Sequence, residues 1–241
     1  MDQKYYNISY AESPFGTLQQ YMARTYGWMF AGLLATFAVA IGVITSGLFV
    51  TLYNSGLTMV LCIAEIILVA VLSMRVERLQ PSTATALFFG YALLNGVNLS
   101  VLFVIYDLTT LVLAFLVGTV YFGVMALYGL RTERDLSGWG PNLVSGLFAL
   151  LITGAVGMLF GAITGIGFGL FDFLLCAVSL VIFMLFTAYD TQKIKFYYSY
   201  FGGDAGMLHK YSIMGALSLY LDYINIFLYV LRILARSRSN N

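Results

Sequence analysis

The sequence predicts an all-α polytopic integral membrane protein, a seven-transmembrane-helix bundle. Three observations predict it. Of its 241 residues, 61% are hydrophobic and only 10% charged, where a soluble domain carries about 25% charged residues, and mean hydropathy is +0.89. Seven runs reach the length of about 20 residues that an apolar helix needs to cross a bilayer. Lys and Arg also alternate between the links that join those runs. The net charge of +1 gives no electrostatic case for nucleic acid or for an acidic partner. The bilayer itself is the partner this composition implies.

The chain opens on a polar and aromatic stretch, residues 1–27, with Asp2, Lys4, Tyr5, Tyr6, Asn7 and Glu12. It has no apolar core ahead of a small-residue cleavage site, so it reads as a cytoplasmic segment and not as a signal peptide. The predicted spans are Trp28–Val50, Leu57–Met74, Thr83–Ile105, Thr110–Leu130, Asn142–Ile163, Leu170–Tyr189 and Met214–Leu234. The links 51–56, 106–109 and 164–169 are short, which makes the first and second, third and fourth, and fifth and sixth spans antiparallel hairpins. The one long loop is 191–213, although Phe196-Tyr197-Tyr198-Ser199-Tyr200-Phe201 is able to continue the sixth helix along the membrane interface. Residues 28–234 form one transmembrane domain with no boundary-type linker, and 235–241 are a short tail.

Orientation follows from the cations. Lys4 and Arg24, Arg75 and Arg78, Arg131 and Arg134, and Lys193, Lys195 and Lys210 fall on alternate links, and the three links between have none. This puts the N-terminus in the cytoplasm. Seven spans then put the C-terminus outside, although the tail carries Arg236 and Arg238. Either those arginines are tolerated there or the last helix is re-entrant. Seven full spans are favoured, because Met214–Leu234 is long enough to cross.

Gly154, Gly157 and Gly161, with Gly165, Gly167 and Gly169 after them, read as a close helix-packing face. A phosphate loop would need a following Lys, and none is present. Cys62 and Cys176 each lie in an apolar run and read as small core residues. His209, the single histidine, reads as part of a polar loop, and one imidazole makes no metal site.

Ionisable residues inside the spans are few, energetically costly and functional by default. They are Glu65 in the second span, Asp190 at the end of the sixth, and Asp222 and Arg232 in the seventh, with Arg75 closing the second. Asn95, Asn98 and Asn225 add uncharged polar groups. Glu65 and Arg75 are ten residues apart, as are Asp222 and Arg232, or about 15 Å along a helix. The two spans run in opposite directions, so Glu65 and Arg232 fall at one depth, and Arg75 and the two aspartates at another. Glu65–Arg232 reads as a structural ion pair or as a latch. The aspartates read as functional: two close carboxylates share a proton and titrate as a unit, and when ionised they offer oxygens to a hard cation such as Ca²⁺. Arg75 would compete for those oxygens with both proton and metal.

Ala188-Tyr189-Asp190, Gln192-Lys193-Ile194, the run from Ala216 to Leu228 through Tyr220-Leu221-Asp222-Tyr223, and Leu231-Arg232 resemble the C-terminal signature of the Bax inhibitor family, the transmembrane Bax inhibitor motif proteins. The resemblance extends more loosely to Glu65, to Met74-Arg75 and to the seven-span layout. It implies a seven-helix bundle with the C-terminal helix central and wrapped by the other six. It further implies a pH-sensitive Ca²⁺ leak channel of the bacterial type. In that reading Asp190 and Asp222 are the paired aspartates and transient Ca²⁺ ligands, Arg75 is their arginine partner, and Glu65 with Arg232 is the outer latch. The chain departs from the family pattern in a longer loop before the last helix, by about Tyr198–Ala205, and in one residue fewer between Glu65 and Arg75, which leaves Arg78 as the alternative arginine.

The expected function is therefore a cation leak channel and not an enzyme, with Ca²⁺ and protons as its ligands and no resident cofactor. The expected location is a bacterial plasma (inner) membrane. One alternative is a non-conducting regulator of another membrane protein, such as a protease or a cell-death or stress factor. The other is an intramembrane aspartyl hydrolase, since paired acids share acid and base roles. Leu221-Asp222-Tyr223 lacks the Gly-x-Gly that precedes the acid in such proteases.

Overall fold

The computed structural model describes residues 16–164 and 169–239, and the regular secondary structure in them is entirely helical. Helix α1 (Leu18–Thr45) starts ten residues before the expected span. Thr17 and Gln20 form a capping box, each side chain meeting the other's backbone N–H at 3.3 and 3.0 Å. This first stretch is amphipathic and not apolar, so a hydropathy criterion passes over it. It buries Tyr21, Met22 and Thr25. Gly47, in the left-handed region at φ 73°, ends the first span before Val50 and restarts the chain as the short α2 (Leu48–Asn54). The first inter-span link is thus largely helical.

Helix α3 covers Leu57–Arg75 and α4 covers Pro81–Leu99, with Pro81 in its first turn. The third span does reach Ile105, but through a bend. Ser100 turns its hydroxyl back to the Val97 carbonyl at 2.6 Å, and α5 (Leu102–Ile105) follows. Helix α6 is Leu108–Arg131, α7 Trp139–Thr164, α8 Gly169–Phe201 and α9 Ala205–Ser239. With α4 and α5 counted together, seven helices among the described residues are long and apolar enough to span. The link 165–168, with Gly165 and Gly167, lies outside the described residues, as do residues 1–15.

The expected long loop 191–213 is corrected. Helix α8 continues to Phe201 and α9 begins at Ala205, capped by Asp204, whose carboxylate accepts the Met207 N–H at 2.9 Å. Three residues, 202–204, are all that separate them. Apolarity marks where a chain leaves hydrocarbon, not where its helix stops. For the same reason helix extends past 27 and 234, the limits expected for the transmembrane domain. Helix α9 is unbroken for 35 residues, about 52 Å, so it does not re-enter. Burial is concentrated on it: 67% of its most apolar window is buried, against 33% or less in the other spans.

The sequence shows no boundary linker, yet the chain forms two compact units, Met1–Asp107 with Lys193–Tyr220, and Leu108–Gln192 with Leu221–Asn241. Each is discontinuous, so no linker marks the division. In the first unit α1 and α4 run parallel. Gly32 receives the Phe88 ring, and Gly96 leaves room for the Thr36 backbone and Val39. The first half of α9 runs parallel to both, with the Thr25 and Ser212 hydroxyls 2.9 Å apart. In the second unit α9 runs antiparallel to α6 and α8. Arg238 donates to the Thr110 hydroxyl at 2.7 Å, Arg236 meets the Gly169 carbonyl, and the Phe183 and Tyr229 rings stack at 5.9 Å. The tail arginines therefore lie against the first turns of α6 and α8. Gly154 and Gly157 of α7 face Leu175 and Phe171 of α8, the close packing their spacing predicts.

Candidate ion and proton site

The second unit brings Asp190 and Asp222 together. Asp222 lies on the buried face of α9 and is 4% exposed. Opposite it α8 presents Thr187 and, three residues later on the same face, Asp190. The Thr187 hydroxyl stands between the Phe183 carbonyl, 3.0 Å away, and the Asp222 carboxyl. Asp190, half-buried, acts electrostatically on Asp222. The second carboxyl oxygen of Asp222, Oδ2, is buried and has no hydrogen-bond partner among the described residues.

Residues on either side of Asp190 are closely packed. Gly129 of α6 lets the two backbones touch at Ala188, two residues before Asp190, and Gly140 of α7 receives the Tyr189 ring. Gln192, two residues after Asp190, clasps the α6–α7 loop. Its Oε1 accepts the Leu136 N–H at 2.7 Å and its amide donates to the Arg134 carbonyl at 2.8 Å. In that loop Asp135 accepts the Ser137 N–H at 2.8 Å, a bond that holds its carboxyl below the usual range. On α9, Tyr223 reaches Thr119 at 3.1 Å, and Asn225 donates to the Leu221 carbonyl of its own helix at 2.8 Å.

A buried carboxyl oxygen with no partner is satisfied by a proton or by a cation. A second carboxyl beside it makes the two choices exclusive, because the pair either shares protons or ionises to offer oxygens to a hard cation. Among the described residues no group of three or more His, Cys, Asp or Glu is placed to hold a metal. A cation here would rest on two carboxylates with neutral oxygens around them.

The remaining candidates divide between the units. Arg75 and Arg78 are exposed at the end of α3 in the first unit. Glu65 is half-buried on α3 beside Asn98 of α4, also in the first unit. Arg232 is exposed on α9 in the second unit, beside the Cys176 thiol of α8. Cys176 is buried as expected, but Cys62 is exposed, because α3 turns most of its apolar residues outward. His209 lies in α9 and not in a loop, 3.3 Å from the Thr85 hydroxyl with its ring edge-on to Trp28.

Thr187 is not singled out in the sequence, and Gln192 and Tyr220 stand there only as part of the family signature, without the contacts they make. Tyr220 is buried in the first unit, its hydroxyl 2.6 Å from that of Thr36 and accepting from the Asn95 amide at 2.9 Å. Spacing alone points to Thr187, three residues before Asp190. The partners of Gln192 and Tyr220 are distant in sequence and leave no local signal.

Comparison with known proteins agrees with this architecture. The profile of the family described as "Inhibitor of apoptosis-promoting Bax1" matches residues 18–240. The inner membrane protein YbhL of Escherichia coli K12 is 39% identical over 234 residues, covering 93% of this chain and 95% of its own. A protein of Rickettsia prowazekii described as uncharacterized is 35% identical over 223 residues, covering 92% of each chain. A Streptococcus pyogenes membrane protein is 33% identical over 241 residues, covering 96% of this chain and 98% of its own. A seven-span helical architecture and a profile match from α1 to the end of α9 lead to one conclusion: the chain belongs to the Bax inhibitor-1 family of integral membrane proteins.

Proposed function

We propose that the protein is a pH-sensitive cation leak channel that passes Ca²⁺ and is gated by protonation of the Asp190/Asp222 pair. The observation that carries this reading is the buried, partnerless Oδ2 of Asp222 with Asp190 beside it. Such a pair has two occupancies of opposite consequence. With protons it is neutral and stable in an apolar surround. Without them it demands a cation, and the cation available at a membrane-depth site is the permeant one. The change of charge at one point on two packed helices is the kind of local event that drives a gate.

Arg75 as a competing partner of the pair, and Glu65 with Arg232 as a latch, belong to this reading on the strength of helix rise and of the family resemblance. No covalent step is assigned to the aspartates. The proposed setting is a bacterial inner membrane with the N-terminus in the cytoplasm, supported by the name of the E. coli relative and by the distribution of Lys and Arg.

The test is Ca²⁺ flux into proteoliposomes as a function of pH for the wild type, Asp190→Asn, Asp222→Asn and the double variant. Loss of the pH dependence in each variant is the expected result. A double variant that keeps the wild-type pH profile removes the pair from gating. Absence of flux at every pH in the wild type, with a stable co-purifying membrane protein, points to a non-conducting regulator. Cleavage of a helical substrate that needs both aspartates points to a hydrolase.

A further inference from the structure

The first unit contains a second set of polar atoms without partners. Glu65 is the single carboxylate of α3, and its Oε1 is buried with no hydrogen-bond partner among the described residues. Asn98 of α4 lies beside it as a hydrogen-bonding neighbour of the same carboxyl, and its amide oxygen, Oδ1, is buried without a partner among the described residues. The phenols of Tyr91 on α4 and Tyr220 on α9 lie within electrostatic reach of the same carboxyl. Both α3 and α4 are spanning helices. At such depth an unsatisfied polar group is costly, and here two such oxygens belong to neighbouring side chains.

We propose that Glu65 and Asn98 form a second cation site, in which Glu65 Oε1 and Asn98 Oδ1 ligate a partly hydrated cation. The chemistry of the two atoms selects the occupant. Both are hard oxygens, suited to a hard cation. A bare water would satisfy the hydrogen bonds but leave an ionised carboxylate unmatched, so proton and cation are the two occupants that neutralise it, and they exclude one another. The flanking helices bring no cation of their own, because α4 contains no Lys or Arg and the one on α3, Arg75, is ten residues away, about 15 Å. One carboxylate with neutral oxygens around it makes a weak site, as a passing ion requires. The latch proposed above draws on the same carboxylate, so ion and latch are alternative occupancies of Glu65.

This site rests on the geometry of the first unit and is tested without flux. Mn²⁺ serves as the probe, and its binding to the purified full chain in detergent is followed by electron paramagnetic resonance, with Ca²⁺ as competitor. Asp190→Asn/Asp222→Asn is the background, so that the aspartate pair does not report. The expected result is a weak Mn²⁺ site that persists in this background and is displaced by Ca²⁺. Glu65→Gln weakens it about tenfold or more, and Asn98→Leu weakens it several-fold. Asn98→Asp, which adds a second carboxylate, tightens it about tenfold and gives a larger rise in Tm on adding Mn²⁺. The gain expected of Asn98→Asp keeps the test decisive even if Glu65→Gln does not fold. No Mn²⁺ site in the background variant, or binding that is indifferent to Glu65→Gln and Asn98→Asp, overturns the proposal and leaves a proton and water at these atoms. Loss of flux with binding intact would refute the channel reading and leave this site standing.

Discussion

The hydroxyls of Tyr220 and Thr36 lie 2.6 Å apart, both fully buried and separated by 184 residues in the chain. Thr36 is also 2.8 Å from the Ala92 carbonyl, and the Asn95 amide donates to Tyr220 at 2.9 Å. A single direction of bonding satisfies all of them: Asn95 donates to Tyr220, Tyr220 to Thr36, and Thr36 to Ala92. The chain ties α9 to α1 and α4 two residues before Asp222. Tyr220→Phe breaks its middle link with little change in volume. The expected loss is about 1 kcal/mol, in the range of hydrogen bonds between membrane helices, seen as a lower midpoint of unfolding in detergent.

Gly129 sets how closely α6 approaches α8. A Cβ there would collide with the backbone of Ala188, two residues before Asp190. Gly129→Ala should therefore cost about 1–3 kcal/mol and push Asp190 away from its place. Gly123, on the same helix with nothing within 4 Å of its would-be Cβ, is the control. Gly123→Ala should leave stability and flux unchanged. Equal effects from the two substitutions would show that helix propensity, and not contact with α8, governs the result.

Gln192 is 8% exposed and satisfies two backbone groups of the α6–α7 loop at once. Gln192→Ala leaves the Leu136 N–H and the Arg134 carbonyl without that partner, at a cost of about 1–3 kcal/mol. Hydrogen exchange at the Leu136 amide should accelerate strongly, with little change in the middle of α6. An unaltered Leu136 amide would mean that the loop holds its own shape.

The contacts of Arg238 with Thr110 and of Arg236 with Gly169 put the end of α9 beside the starts of α6 and α8. In a cysteine-free background, Ser237→Cys and Thr109→Cys should react with an impermeant maleimide from the same side of sealed vesicles. Asp204→Cys, at the other end of α9, should react only from the opposite side. Labelling of positions 204 and 237 from one side would restore a re-entrant last helix.

Apolarity located the spans to within a few residues where the helix and its apolar run end together, as in α3 and α6. It failed at both ends of the chain and around 191–213. There the helix continues in amphipathic or interfacial sequence: Tyr21 and Thr25 are buried without being part of an apolar run, and Lys193 to Phe201 stay helical among aromatics and cations. The aspartates were legible because a carboxylate in hydrocarbon needs a reason. Their proximity was expected because consecutive antiparallel helices bring Asp190 and Asp222 to similar depth, and Asp190 does act electrostatically on Asp222. The supports were not. Gln192, Tyr220 and Thr36 are ordinary residues at ordinary positions, and their roles exist only in pairs formed across 56 to 184 residues. Glu65 was noticed as a charge, but the Asn98 amide beside it depends on how α3 and α4 turn.

The first unit takes residues Lys193–Tyr220 as well as Met1–Asp107, and this has a consequence for biosynthesis. Thr36 leaves the ribosome 184 residues ahead of Tyr220, a delay of about ten to forty seconds at typical translation speeds. Until then the N-terminal helices lie in the membrane with the inner side of their assembly open. Thr36 can fall back on the Gly32 carbonyl of its own helix, 3.0 Å away, whereas the Asn95 amide has no tyrosine to meet. The helix that completes the first unit is synthesised after the eight described before it, so a stop codon ahead of Tyr220 is a folding lesion among residues 1–107.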